Sequence, residues 1–271
     1  MGSISLTATG LATAALLAIG LVGTTGAQQP PTAAASSQGA VTLEWLGHMF
    51  FRLTSASGVV VLTSPWLGNP DVPITLDDLE RADVLLVPNS HSDDMGNPIE
   101  IAAKTGARVL APSRLGRWLV GEGLDESLLL SAGVGDRRDI QGVRIRVARN
   151  DHGNTLRDGS DGGPAVSYIV TFENDFTVYF GASSPPHADM AVYGSVYKPH
   201  IALLNLRDPV EFAHGARLLS TDNPNLRAVV PTHIRADVSS ARAIAQAAAE
   251  MEQLGVPARL FTPVVGDVYR Y

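Results

Sequence analysis

The sequence predicts an α/β fold whose functional site lies where strands end. Apolar runs such as 84–87 stop at clusters of polar residues, and a helical pattern follows most of these clusters. Residues 84–111 have the order strand, loop, helix and strand, which favours a parallel pair of strands. The same order of strand, loop and helix returns after residue 201. Because α/β proteins keep their chemistry at the carboxyl ends of strands, the polar clusters are the candidate site.

Hydrophobic period and turn residues divide the chain into elements. The first half is predicted to contain strands at 41–45, 50–53 and 59–62, a short helix or turn at 75–81, a strand at 84–87, a helix from Pro98 to Gly106, a strand at 108–111, a helix at 112–120 and a short strand at 124–130. The second half is predicted to contain an alternating strand at 139–149, a hairpin of 165–172 and 176–180, a strand at 201–204, a helix at 209–220, a strand at 228–230 and a helix at 241–254. The close succession of the first three strands favours antiparallel pairing.

The composition excludes several kinds of site and partner. The chain has no cysteine, so it forms no disulfide and any metal must be held by nitrogen and oxygen. The formal net charge is −7 and there is no basic run, which argues against nucleic acid or an anionic membrane as a partner. A small-molecule substrate is the partner that the composition favours, and the oligomeric state is left open.

The N-terminal segment has the character of an export signal. Residues 1–27 contain no charged side chain, and Leu11 to Gly23 is an apolar run of the length of a signal-peptide core. This run is too short to span a bilayer comfortably, so no stable membrane span is expected in the mature chain. Residues 28–40, rich in Gln, Pro, Ala and Ser, predict a flexible linker before a domain at 41–271. The protein is therefore expected to be secreted or periplasmic.

Ligand-type residues follow four of the predicted strands. Asn89, His91, Asp93 and Asp94 come directly after the strand 84–87. The other three strand ends carry His152, the segment Gly181-Ala182-Ser183-Ser184, and His233. We expect these residues to meet at one rim of the fold.

The order of these segments resembles the metallo-β-lactamase superfamily, most of all its branch of ascorbate-6-phosphate lactonases and N-acyl-phosphatidylethanolamine phospholipase D. The resemblance extends from about residue 43 to residue 265. It is carried by Trp45-Leu46-Gly47-His48, Ser64-Pro65-Trp66, the loop 89–94, the strand leading to His152, Gly181-Ala182-Ser183-Ser184 and Val230-Pro231-Thr232-His233. It implies a four-layer αβ/βα sandwich, with two mixed sheets and outer helices, and a metal pair, usually zinc, at the sheet edge.

The resemblance also implies a reaction and roles for particular residues. His91 and His152 would serve a first metal, and Asp93 and His233 a second. A water activated by the metal would attack an ester, lactone or phosphodiester. Asp93 and His48 are the candidate catalytic residues, although a core position explains His48 equally well.

The site departs from the family pattern at four positions. Asn89 and Asp94 stand where the family has histidines, Ala182 stands where it has a metal-bridging aspartate, and Ser64 replaces a nearby aspartate. The first metal would keep only His91 and His152, and the second would keep Asp93, Asp94 and His233. We therefore expect one ion, zinc or another divalent metal, or none, rather than a bridged pair.

Three hypotheses about function follow. The first is a hydrolase that uses a metal-activated water, and the second is a non-catalytic member of the fold that acts as a binding or interaction module. The third, a metal-independent hydrolase with Ser183 as nucleophile, has the weakest support because the Gly-x-Ser-x-Gly pattern is missing. His187 is either a replacement ligand or an exposed side chain.

Overall fold

The computed structural model describes residues 39–271. The predicted signal peptide at 1–27 lies outside the described residues, as does the predicted linker except for its last two residues, so both stay predictions together with the domain boundary at 41. Among the described residues, no helix combines the length and the apolar character needed to cross a membrane.

The described chain contains fourteen strands and six α-helices. The strands are β1 (Thr42–Trp45), β2 (Phe51–Thr54), β3 (Val60–Thr63), β4 (Val84–Leu86), β5 (Arg108–Pro112), β6 (Leu129–Ala132), β7 (Arg137–Ile140), β8 (Val143–Arg149), β9 (Val166–Thr171), β10 (Thr177–Phe180), β11 (Ile201–Asn205), β12 (Ala228–Thr232), β13 (Arg259–Leu260) and β14 (Val268–Arg270). The helices are α1 (Ser92–Met95), α2 (Pro98–Thr105), α3 (Ser113–Gly121), α4 (Asp189–Tyr197), α5 (Pro209–Leu219) and α6 (Ala241–Gln253).

The strands form two mixed sheets of seven strands each. The first has the order β14-β1-β2-β3-β4-β5-β6, antiparallel from β14 to β3 and parallel from β3 to β6. The second has the order β13-β12-β11-β10-β9-β8-β7, parallel from β13 to β10 and antiparallel from β10 to β7. The predicted antiparallel start and the predicted parallel pair β4 and β5 are both confirmed.

Two hydrophobic clusters define four layers. One cluster lies between the first sheet and the helices α2 and α3, and includes Leu85, Ile101 and Leu115. The other fills the space between the sheets and continues to the helices α4 to α6, with Leu86 and Val170 among its members. The Tyr168 hydroxyl crosses the interior and lies 2.9 Å from the carbonyl oxygen of Val87 and 2.8 Å from that of Leu110. The predicted sandwich of two mixed sheets with outer helices is confirmed.

Some elements differ from the prediction. The segment 139–149 is not one strand, because the chain turns at Gln141 and Gly142, whose φ angles are 49° and 91°. Two successive positive φ angles are typical of the tight turn that joins antiparallel strands. Helices α1 and α4 and the strands β13 and β14 were not predicted; β13 and β14 are short, and only pairing with a neighbouring strand identifies them.

Candidate metal centre

Loops from both sheets meet around one cluster of polar side chains. Asp93 and Asp94 lie in α1, directly after β4, and His91 immediately precedes that helix. His152 follows β8 and His233 follows β12. The strand β4 is buried along its whole length. It therefore anchors in the core the loop that leads to His91 and α1.

The structure brings these five side chains and His48 into two groups. His91, Asp94 and His152 each offer a ligand atom, and these atoms lie within 4.8 Å of one another. His48, Asp93 and His233 form a second group by the same measure. All the predicted metal-ligand and catalytic residues are therefore members of one group or the other.

The grouping of Asp94 differs from the one that the sequence indicated. It lies with His91 and His152, not with Asp93 and His233. The reason is the helix α1: successive helical residues are rotated by about 100°, so two adjacent aspartates point to different neighbours. His48 takes the third place in the second group.

Asp94 is the most deeply buried acid of the site. Its side chain is fully buried, and Oδ2 accepts a hydrogen bond of 2.5 Å from the Ser183 hydroxyl. Oδ1 makes no hydrogen bond of normal geometry among the described residues. Burial raises the pKa of Asp94 to about 7, and the side chains of Ser183 and Asn89 oppose this shift. A buried carboxylate oxygen without a well-aligned donor, next to two histidines, fits a divalent cation.

The second group is more open to solvent at its centre. Oδ2 of Asp93 lies 3.9 Å from Nε2 of His48 and 3.8 Å from Nε2 of His233. The Asp93 side chain is 20% exposed, whereas that of His233 is 3% exposed. Burial lowers the pKa of His48 and lowers the pKa of His233 well below its usual value, with His48 as the next cause for His233. Both imidazoles are therefore neutral at pH 7, the form that binds metals.

Ser183 joins the two groups. Its hydroxyl lies 2.5 Å from Oδ2 of Asp94 and 2.9 Å from Nε2 of His233. The hydroxyl donates to Asp94 and can accept from Nε2–H of a neutral His233, so Ser183 links the two groups. Sequence reasoning considered Ser183 only as a nucleophile and missed this linking position.

All four positions that depart from the family pattern carry buried side chains. Asn89 is buried, and its Oδ1 accepts the backbone N–H of His91 at 2.9 Å. Its Nδ2 makes no hydrogen bond of normal geometry among the described residues. Ala182 is fully buried and offers no ligand atom, while the buried Ser64 hydroxyl has no partner in the described part of the chain. Asn89 therefore positions the backbone of His91.

Backbone strain is concentrated around the site. Four non-glycine residues there have positive φ angles: His48 at 53°, Ser64 at 40°, Ala182 at 50° and His233 at 59°. Such conformations cost about 1–3 kcal/mol each and persist where surrounding structure holds them. Their concentration here is typical of a functional site.

His187 belongs to neither group. It is buried, so the expectation that it is exposed is wrong, and neither ring nitrogen makes a hydrogen bond of normal geometry among the described residues. It is absent from both sets of clustered ligand atoms in residues 39–271, so the structure gives no support for it as a replacement ligand.

Comparison with known proteins identifies the family. No family model matches the chain. A UPF0173 metal-dependent hydrolase of Rubrobacter xylanophilus is 34% identical over 205 residues, which cover 72% of this chain and 82% of that protein. This chain belongs to the UPF0173 metal-dependent hydrolase family. A member from Koribacter versatilis is 29% identical over 200 residues, covering 70% of this chain and 83% of that protein.

Solved structures agree on the fold. Igni18, a metallo hydrolase from Ignicoccus hospitalis, is 24% identical, with a TM-score of 0.70 over 86% of this chain and 98% of that one. YhfI from Bacillus subtilis, a metallo-β-lactamase fold protein, is 8% identical, with a TM-score of 0.63 over 86% of this chain and 100% of that one. The predicted metallo-β-lactamase fold is thereby confirmed, and the narrower branch stays a prediction.

Proposed function

We propose that this UPF0173 family member hydrolyses an ester, lactone or phosphodiester bond of a small-molecule substrate with one divalent ion. His91, Asp94 and His152 would hold the ion. The observation that carries the proposal is the buried Oδ1 of Asp94, which makes no hydrogen bond of normal geometry among the described residues and belongs to a carboxylate grouped with two histidines. Nitrogen and oxygen ligands of this kind suit zinc, iron or manganese.

The bound ion would supply a water with a lowered pKa, and hence a hydroxide at neutral pH. The surrounding side chains would orient the reactants and handle the proton. Asp93 is the candidate base because its carboxylate is partly exposed and lies between two neutral imidazoles. His48 and His233 would flank Asp93, and Ser183 would fix the orientation of Asp94.

The preference for one ion also follows from Ser183. Nε2 of His233 already lies within hydrogen-bond distance of the Ser183 hydroxyl, so that nitrogen is partly engaged. Ala182 has no oxygen with which to bridge two ions. The second group is therefore better suited to proton transfer than to a second metal.

Metal content tests this assignment directly. The protein is purified without chelator, and its metals are quantified by plasma mass spectrometry in the wild type, Asp94→Asn and His152→Ala. His214→Ala is the matched control, because His214 is exposed on α5 and belongs to neither ligand group. We expect about one ion per chain in the wild type and the control and none in the two site variants.

Turnover separates the hydrolase from the non-catalytic module. The substrates are a 4-nitrophenyl ester, a small lactone and bis(4-nitrophenyl) phosphate. Hydrolysis that is lost in Asp93→Asn, with metal content retained, would support Asp93 as the base. Two ions per chain would contradict the single-metal site, and a metal-bearing protein inactive on all three substrate classes would favour the binding module.

A further inference from the structure

Arg207 occupies a strand-end position that matches those of two site histidines. The backbone N–H of Arg207 donates to Oδ1 of Asn205, the last residue of β11, at 3.0 Å. His91 and His152 are held in the same way, each by an asparagine two residues earlier at 2.9 Å. The same asparagine turn therefore follows three strands. The residue two positions after the asparagine is a histidine in two of these turns and an arginine in the third.

The loop that carries Arg207 is joined to the metal centre. Nδ2 of Asn205 donates to the carbonyl oxygen of Ser183 at 3.3 Å. The hydroxyl of the same serine contacts Asp94 and His233. Asn205 thus connects the backbone of Arg207 to a residue that touches both ligand groups.

The positive charge of Arg207 is not neutralised by the described residues. Arg207 is exposed, and its guanidinium makes no ion pair or hydrogen bond within residues 39–271. The adjacent Asp208 caps helix α5, since its Oδ1 accepts from the N–H groups of Val210 and Glu211 at 2.8 and 2.9 Å. The carboxylate of Asp208, the acid closest to Arg207 in sequence, therefore makes its hydrogen bonds to helix α5.

The hydrogen bond from Asn205 to Ser183 places Arg207 at the rim that both ligand groups share. Burial lowers the pKa of His48, His152 and His233, and the charge of Arg207 is a further cause in the same direction. Burial raises the pKa of Asp94, and the charge of Arg207 opposes that shift. Asp93 and Asp94 together balance the charge of one divalent ion. With a neutral water on the ion, Arg207 would then leave the loaded site with an uncompensated positive charge, which an anionic substrate group would neutralise as it binds.

We propose that Arg207 is a specificity-determining residue that binds an oxyanion of the substrate, a carboxylate or phosphoryl group, beside the bond that is hydrolysed. This inference rests on the proposed function and narrows its substrate class. The net negative charge of the whole chain does not contradict this inference, because the attraction between Arg207 and the substrate anion acts locally at the rim of the site.

Paired substrates test the inference. Kinetics on bis(4-nitrophenyl) phosphate, an anion, and 4-nitrophenyl acetate, which is neutral, are measured for wild type, Arg207→Gln and Arg207→Lys. Arg117→Gln is the matched control, because Arg117 is exposed on α3 and the charge change is identical. Loss of a hydrogen-bonded charge pair should raise KM for the anion about ten- to hundredfold in Arg207→Gln, with kcat nearly unchanged. Arg207→Lys should restore part of the affinity, and hydrolysis of the neutral ester should not change.

A binding measurement does not depend on turnover. Inorganic phosphate is titrated calorimetrically into each protein as purified. We expect phosphate to bind the wild type and Arg117→Gln at least tenfold more tightly than Arg207→Gln. Equal affinity in all proteins, or no binding to any, would overturn the role of Arg207. If the wild type hydrolyses neither substrate but binds phosphate through Arg207, the proposed function fails and the anion site stands.

Discussion

Replacing Asp94 with asparagine should stabilise the metal-free protein at neutral and alkaline pH. The substitution keeps the side-chain volume and an oxygen that can accept the Ser183 hydrogen bond, but it removes the charge. In the folded wild type, burial raises the pKa of this carboxyl from 3.8 to about 7. The folded state therefore prefers the neutral acid, and ionising it in the folded state costs free energy.

The sign and size follow from that pKa. Between about pH 4 and pH 7 the unfolded chain has lost the Asp94 proton while the folded chain still holds it, so the free energy of unfolding falls as pH rises. The loss is complete above pH 7 and amounts to at most about 4 kcal/mol, from about 1.36 kcal/mol per pKa unit. Asp94→Asn lacks this loss, so its advantage should grow from near zero at pH 4 to a few kcal/mol at pH 8.

Urea unfolding at pH 4, 6 and 8 with chelator present measures the difference. Asp267→Asn is the control, because it removes an exposed carboxylate of the same chemistry. Excess metal at pH 8 should reverse the order, since a ligand that binds only the folded state stabilises the wild type and not the variant. An Asp94→Asn protein that is less stable than wild type by the same amount at all three pH values would refute the reasoning.

Four further outcomes follow from the same structure. Metal affinity, measured by competition with a chelator, should rise about tenfold per pH unit below pH 7 and level off above it, because a proton on Asp94 competes with the ion; a flat profile would exclude Asp94 as a ligand. Ser183→Ala should retain hydrolysis, and complete loss of activity with full metal content would instead favour a serine nucleophile. Tyr168→Phe should lower the free energy of unfolding by about 1–2 kcal/mol in urea, because its buried hydroxyl binds a carbonyl of the opposite sheet; an unchanged value would mean that this bond contributes nothing. Exported protein should begin near Gln28 by intact mass, and a mass that includes residues 1–27 would contradict the signal peptide.

The sequence predicted most of the fold because its local signals agree with the tertiary structure. Strand β4 is a short apolar run that stops at polar residues, and helix α2 begins at Pro98 and is followed by Gly106 with a φ of 74°. Each of these signals acts within a few residues. The turn at Gln141 escaped prediction because the residues on both sides alternate as a single strand would, and the pairing of β7 with β8 reveals the hairpin.

The sequence by itself determined which residues are candidates for the metal ligands, through the order of ligand-type residues at strand ends. Only the tertiary structure decided how they divide, because the rotation of α1 directs Asp94 to His91 and His152 and leaves Asp93 between His48 and His233. Burial is equally a property of the folded chain, and it is burial that raises the pKa of Asp94 and lowers that of His233. Neither the division nor the charge state is a local property, since both depend on loops from two sheets that meet only after the sandwich has formed.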